Sequence, residues 1–578
     1  MARVVRVVTF AALGGALGCA NVAGPIGVRR DVPPQRGGTL EMANYTDIRN
    51  LDPALAFDAA SLPIEQLLYA PLVDYDHGGS IVPLLAERYE VSRDGRRVAF
   101  KLREGALFHD GDEMTADDVK RSIERSLDHD TPCPAATFYA SIAGFQAFHD
   151  GVKDAQGKRA YAPHLDGVVV DGRYELHIDL AEPDATFLPA LTLYFVAPVC
   201  KSAGTKYTRE WGNQACGAGP FRLESWRVSR EVTLVRHQGY FDPALPYLDR
   251  IRWHQVMPVT TQRFKFEDGD LDHIRQFSAS DLILYLKDPR WKAYGQWEPA
   301  KDVHGVFLNT QMKPFDNVEL RRAFAAAIDW REVTSVRPEL AVATQIVPPA
   351  LPMHDPSFEG QKFDLSLALS HMAKAGYPYD PATKTGGYPE PVRFVGPAES
   401  SITDSIAPMV QQAVARVGIH MEIVQASYPA YLAIASRRNH AQLGYGGWSM
   451  DFPDPSDFFE PSFSSESIQD EEAQNYAFYS NPELDLLLKK ARRELDPEAR
   501  RTIFRRCEEI VRDDAPWAIG YNQRWYDLVQ PYVHGYAPSA KHTEDVRFVW
   551  IDQEERRHAS RGPRVRGTLA WIRPWGRR

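Results

Sequence analysis

Short runs of alternating apolar and polar residues recur along this chain, and between them the apolar spacing lengthens to that of helices. The runs at 38–44, 98–102, 174–180, 232–235 and 251–256 alternate as half-buried strands do. Thr115-Ala-Asp-Asp118 has the form of a capping box, and Val119, Ile123 and Leu127 then fall on one helical face. Asp316, with Glu319 three residues on, predicts a second helix that turns Leu320, Phe324, Ala327 and Ile328 inward. Ser480-Asn-Pro482 opens a third, with Leu484, Leu487, Leu488 and Ala491 on one side. Asp496-Pro497 opens a fourth, carrying Ala499, Ile503, Cys507, Ile510 and Val511. Strand and helix signals alternating in this way predict an α/β architecture, and no repeat of solenoid period is visible.

The two ends of the chain read differently from this body. Arg3 and Arg6 precede an apolar run at 7–17 that is too short to span a bilayer, which is the pattern of a secretory signal over 1–18. Ala16-Leu-Gly-Cys19 resembles a bacterial lipoprotein processing site, in which Cys19 would be lipidated, although that pattern prefers Leu where Ala16 stands. A plain secretory signal cleaved nearby is the alternative. Residues 19–38 then form the anchor cysteine and a Gly-, Pro- and Arg-rich tether. At the other end, 553–578 is a basic, solvated tail. No other run is apolar for long enough to cross a membrane, so membrane association is expected only through the N-terminal lipid.

Composition is ordinary for a globular protein, with 44% hydrophobic and 25% charged residues over 578 positions, enough for about three or four domain-sized units. The formal charge of -10 argues against nucleic acid as a partner. Outside the cytoplasm, Cys200 and Cys216 could close a short disulfide loop, while Cys507 reads as a buried thiol on a helix. No cysteine or histidine spacing points to a metal site, and no cofactor is implied. Serine-hydrolase, zincin, phosphate-loop and dinucleotide motifs are absent, which leaves an enzyme without a recognisable signature.

The chemistry concentrates in Tyr445-Gly-Gly-Trp-Ser-Met-Asp-Phe-Pro-Asp-Pro-Ser-Asp-Phe-Phe459. Trp448 with Asp451, followed by a proline-stiffened loop, offers an aromatic face and a fixed carboxylate to an organic ammonium ligand. On the residues alone, an ordinary strand exit with a core Trp and solvated aspartates fits as well. Asp451, Asp454 and Asp457 do not follow the EF-hand pattern, and a rigid loop accounts for them more simply than calcium. Asp47 and Arg49, leaving the first strand, could add charge to a cleft.

Read in order, the segments resemble the family 5 extracellular solute-binding proteins, the peptide receptors of bacterial ABC importers, from about Gly38 to Asp552. Leu51-Asp-Pro53, Leu67-Leu-Tyr-Ala-Pro-Leu-Val73 and Phe100-Lys-Leu-Arg-Glu-Gly-Ala-Leu-Phe-His-Asp-Gly111 carry the early part. Gly217-Ala-Gly-Pro-Phe-Arg-Leu223, Phe307-Leu-Asn-Thr310, Tyr479-Ser-Asn-Pro482 and Asp514-Ala-Pro516 carry the rest. The resemblance implies a two-lobed periplasmic-binding-protein fold of the large type, with a subdomain inserted in the first lobe. Lobe I would comprise 39–62, 217–300 and 520–552, with 63–216 inserted, and lobe II would be 301–519. Crossovers are expected near 304–309 and 516–525.

The resemblance further implies a monomeric, non-enzymatic binding protein of the periplasm or cell envelope. Its partners would be a peptide or other small solute and the membrane permease of an ABC importer. A ligand sensor on the same fold, or a nickel complex, haem or sugar as solute, is the alternative. In peptide-binding relatives an aspartate three residues after a Gly-Trp pair holds the ligand ammonium. Gly447, Trp448 and Asp451 keep that spacing. Dipeptide receptors place a carboxylate-binding arginine just before a helix that here closes with Pro408-Met-Val-Gln411; the stretch Gly396-Pro-Ala-Glu-Ser-Ser401 has none. Strict dipeptide capture is therefore not implied, while longer peptides, whose backbone is read more than their carboxylate, stay open.

Overall fold

The computed structural model describes residues 32–561 except 56, 57, 59, 77, 78, 154, 155, 399, 539, 540, 542 and 543. The expected signal segment and Cys19 lie outside the described residues, as does the tail beyond 561. Each predicted strand forms, within a residue or two of its expected ends. Arg97–Leu102 buries every second residue, and Glu175–Asp179 pairs with it antiparallel.

Three sheets organise the molecule. In lobe I, Thr39–Ala43 runs parallel to Arg250–His254, which continues antiparallel through Glu231–Arg236 to Phe221–Arg227. The inserted subdomain is an antiparallel sheet of Ala86–Val91, Arg97–Leu102, Glu175–Asp179 and Val168–Gly172, backed by the helix Ala116–Leu127. Lobe II is built on six strands in the order Leu340–Val342, Trp517–Gln523, Asp302–Leu308, Leu443–Ser449, Val392–Pro397 and Met421–Ala426. The central strand Asp302–Leu308 is buried throughout because both faces are covered. Val303 and Phe307 enter one core, Val306 and Leu308 the other. Gly305 is required there, since a Cβ would stand 2.2 Å from the Ala518 carbonyl oxygen.

The chain crosses between lobes at two adjacent places. A small sheet of His273–Ile274, Tyr526–Val529 and Gly295–Trp297 sits on the lobe I side of both crossings. From there the chain enters lobe II at Asp302 and returns after Gln523, where the Gln523 N–H donates to Asp302 Oδ1 at 2.7 Å. Beside these crossings lies a buried charge network, in which Asp527 receives His273 at 2.9 Å and Arg275 reaches Glu298 at 2.7 Å.

Three local expectations change. The helix Val318–Ala327 is capped by Asn317, whose side chain accepts from the Glu319 N–H at 2.9 Å. Asp316 instead ends the preceding turn, its N–H donating to the Met312 carbonyl. The helix expected to close near Gln411 runs on as Ser401–Ala415 with Pro408 inside it. Burial of Ala407, Val410 and Val414 offsets the hydrogen bond that proline cannot make. The first part of the basic tail is the helix Gln553–Arg561, not a solvated extension. Asp552 caps it, and Arg556 docks it on lobe I through the Thr39 carbonyl and Asp272.

Candidate functional site

The strand Leu443–Ser449 runs antiparallel to Asp302–Leu308, setting Trp448 opposite Val303 and Gly447 opposite His304. A Cβ on Gly447 would lie 2.1 Å from His304 Nδ1, so the glycine makes room for that ring. His304 is in turn hydrogen bonded to the Tyr445 hydroxyl at 2.9 Å and stacked beside Tyr521. Trp448 packs on the opposite face of the sheet, and its indole N–H has no partner among the described residues.

The chain leaves the sheet at Met450, whose side chain is fully buried and whose N–H donates to the Lys301 carbonyl at 2.8 Å. The loop that follows is stiffened by its own acids. Asp454 accepts both arms of the Arg500 guanidinium, at 2.6 and 2.9 Å, and also the Ser456 N–H and hydroxyl. Burial alone would raise the Asp454 carboxyl, but the Arg500 charge and these hydrogen bonds hold it below the usual carboxylate range. Asp454 is thus consumed by structure. Asp457, in the first turn of the helix Ser456–Phe463, accepts the Asp451 N–H at 2.7 Å.

The Asp451 side chain meets another acid, Asp457. Among the described residues no cationic side chain pairs with Asp451, and burial raises its carboxyl above the usual range. The neighbouring Phe452 stands edge-on to Phe138 of the inserted subdomain, with ring centroids 5.4 Å apart. The subdomain meets lobe II again where the Ala185 N–H donates to the Arg492 carbonyl at 2.8 Å and Arg493 pairs with Glu182. The loop presenting Asp451 therefore lies where lobe II faces the inserted subdomain.

The other predicted residues sit apart from this loop. The Ser229 hydroxyl donates to Asp47 Oδ2 at 2.5 Å, tying Asp47 to a hairpin of lobe I, and Arg49 is exposed. No described contact joins either to Asp451. Cys200 and Cys216 are joined in a disulfide, and Cys507 is buried. Reading the sequence missed Asp457 as the loop clamp and Arg500 as the partner of Asp454. The first had a signal, an acid in the opening turn of a helix six residues after the candidate anchor. The second had none, because Arg500 is 46 residues away.

Comparison with known proteins fits this geometry. The model for bacterial extracellular solute-binding proteins, family 5 (middle region), matches residues 80–470. Heme-binding protein A of Haemophilus influenzae is 27% identical over 504 residues, covering 84% of this chain and 87% of that protein. The glutathione-binding protein GsiB of Escherichia coli (strain K12) is 26% identical over 481 residues, covering 82% and 86%. The solved structure of clavulanic acid biosynthesis oligopeptide binding protein 2 aligns with a TM-score of 0.79 at 23% identity, covering 93% of this chain and 98% of that one. No helix among the described residues is long and apolar enough to cross a membrane. With two lobes, an inserted subdomain and a family match over most of its length, the chain belongs to the bacterial extracellular solute-binding proteins, family 5.

Proposed function

We propose that this protein captures peptides with a free α-ammonium group between its lobes and delivers them to the permease of an ABC importer. Outside the cytoplasm it would act as a monomer tethered by a lipid on Cys19. One observation carries the ligand reading: Asp451 is a shielded carboxyl without a cationic partner among the described residues, on a loop whose other acids are already engaged. A ligand ammonium would supply the missing charge, and water expelled by lobe closure would strengthen the pair. Trp448 would pack beside the ligand backbone, and Asp47 and Arg49 would contribute only long-range charge at the lobe I side.

A second reading has one observation in its favour, since a relative with similar coverage is named for heme binding. An anionic solute would meet Asp451 and Asp457 unfavourably, which ranks it below a peptide. Native mass spectrometry of the protein from Ala20 onward, followed by denaturation, separates the two readings. Released short peptides support the proposal; released haem, a metal chelate or a sugar replaces it.

A further inference from the structure

We infer that Asp457 is a specificity-determining residue of the cleft: it holds the loop that presents Asp451 and shares one proton with it while the cleft is empty. A ligand ammonium then enters by displacing that proton to solvent, and no covalent bond is made. This rests on the reading of Asp451 as ligand anchor.

The geometry carries the argument. Asp457 is only 4% exposed, and its Oδ2 accepts the Asp451 N–H, while the Phe452 N–H lies against the same carboxyl. The two side chains are also close enough to hydrogen bond to each other. Two carboxyls in that arrangement need a proton between them or a cation beside them. Every nearby cation is spent elsewhere. Arg500, from the helix Pro497–Asp514, is forked onto Asp454. Arg492, from Pro482–Arg493, faces Asp184 of the inserted subdomain and Glu460.

Besides Asp451, the charged group that acts on Asp457 is Asp454, and it supplies no positive charge. Burial first, then the Asp451 charge and more weakly that of Asp454, raise Asp457 well above the usual carboxylate range. The empty site is accordingly a protonated acid pair. It admits a ligand that brings its own cation and penalises a neutral or anionic one.

The test uses tri-alanine and N-acetyl-tri-alanine as probes, on the wild-type protein and on Asp457→Asn. The substituted amide still offers an oxygen to the Asp451 N–H, so the loop is kept while the shared proton is lost. In calorimetric titrations at neutral pH, repeated in buffers of different ionisation enthalpy, wild-type protein should release up to about one proton per tri-alanine bound. Over the range below the pair's titration, its affinity should increase with rising pH by up to about tenfold per unit. Asp457→Asn, in which only burial favours protonation of Asp451, should release clearly less and bind with weaker pH dependence. Equal proton release by both proteins overturns the inference.

If tri-alanine binds neither protein, the peptide reading falls and a ligand-free measurement decides the pair. An infrared titration should show a protonated-carboxyl band in wild type that persists at neutral pH and is shifted and titrates differently in Asp457→Asn. Asp451→Asn breaks the pair from the other side and must shift the same band if the first variant does not fold, since burial alone then keeps Asp457 protonated. A band unchanged in the variants overturns the shared proton.

Discussion

Replacing Asp454 by alanine tests whether the loop that presents Asp451 is held from beneath. The carboxylate is 3% exposed and accepts four hydrogen bonds, two from Arg500 and two from Ser456. Arg500 has one further anchor, its Nε–H on the Ala491 carbonyl at 3.0 Å. Removing the acid strands a buried guanidinium, which typically costs about 3–5 kcal/mol. It also removes the acceptor for the Ser456 N–H at the start of the helix, a loss of about 1 kcal/mol when such a cap acts alone. The two losses share one side chain and do not simply add, so a total of about 4 kcal/mol is expected.

Urea unfolding followed by tryptophan fluorescence measures it. Asp454→Asn, which keeps acceptors for Ser456 but not the charge, should fall between wild type and alanine. Adding Arg500→Met to Asp454→Ala should recover part of the loss, since no unpaired charge is then buried. A loss below about 1 kcal/mol for Asp454→Ala would show that the pair does not fix the loop. The reasoning that leaves Asp451 as the loop's acid without a cation would then fail.

Asp451→Ala should weaken binding of a co-purifying peptide by about 3–5 kcal/mol if the ammonium pair is buried, with little change in unfolding midpoint; calorimetry showing unaltered affinity rejects the anchor. Arg125 and Asp52 form a fully buried bidentate pair at 2.6 and 3.1 Å that ties lobe I to the inserted subdomain. Arg125→Met should destabilise by about 3–5 kcal/mol, and thermal melting within error of wild type would refute this. Burial raises Glu508 from 4.5 to about 7 although the Ile346 and Val347 N–H groups favour its charge, so its contribution is complete below about pH 4.5 and lost as pH rises through about 7. Glu508→Gln should flatten the stability–pH curve in that window, and an unchanged slope would exclude it. Burial lowers His109 from 6.5 to about 3, which has the opposite consequence: stability present above about pH 6.5 falls as pH drops through about 3, and replacing His109 with Asn should remove that part of the acid limb.

What the sequence revealed and what it concealed divide along a physical line. Alternation and caps act over a few residues, so the strand at Arg97–Leu102 and the capping box at Thr115 were legible as local patterns. The Asn317 cap was misplaced by one residue because Asp316 and Asn317 are both competent, and only the preceding turn decides between them. The helix Gln553–Arg561 was hidden by its charge: little in its own sequence calls for burial, and its place is fixed by Arg556 meeting Asp272, 284 positions earlier.

The site follows the same rule with one more turn. Asp451, Asp454 and Asp457 are identical residues at equal spacing, and nothing local ranks them. Their roles separate only through what folding brings to each: Arg500 to Asp454, the Asp451 N–H to Asp457, and no cation to Asp451. The arginine that neutralises one acid is what leaves the others in need of a charge from outside the chain. A loop carrying three aspartates, met by one buried arginine from the helix Pro497–Asp514, is short of positive charge when empty, and a ligand ammonium would make up part of that shortfall. On the proposed reading, the ligand preference would be set as much by where Arg500 points as by the aspartate that would touch the ligand.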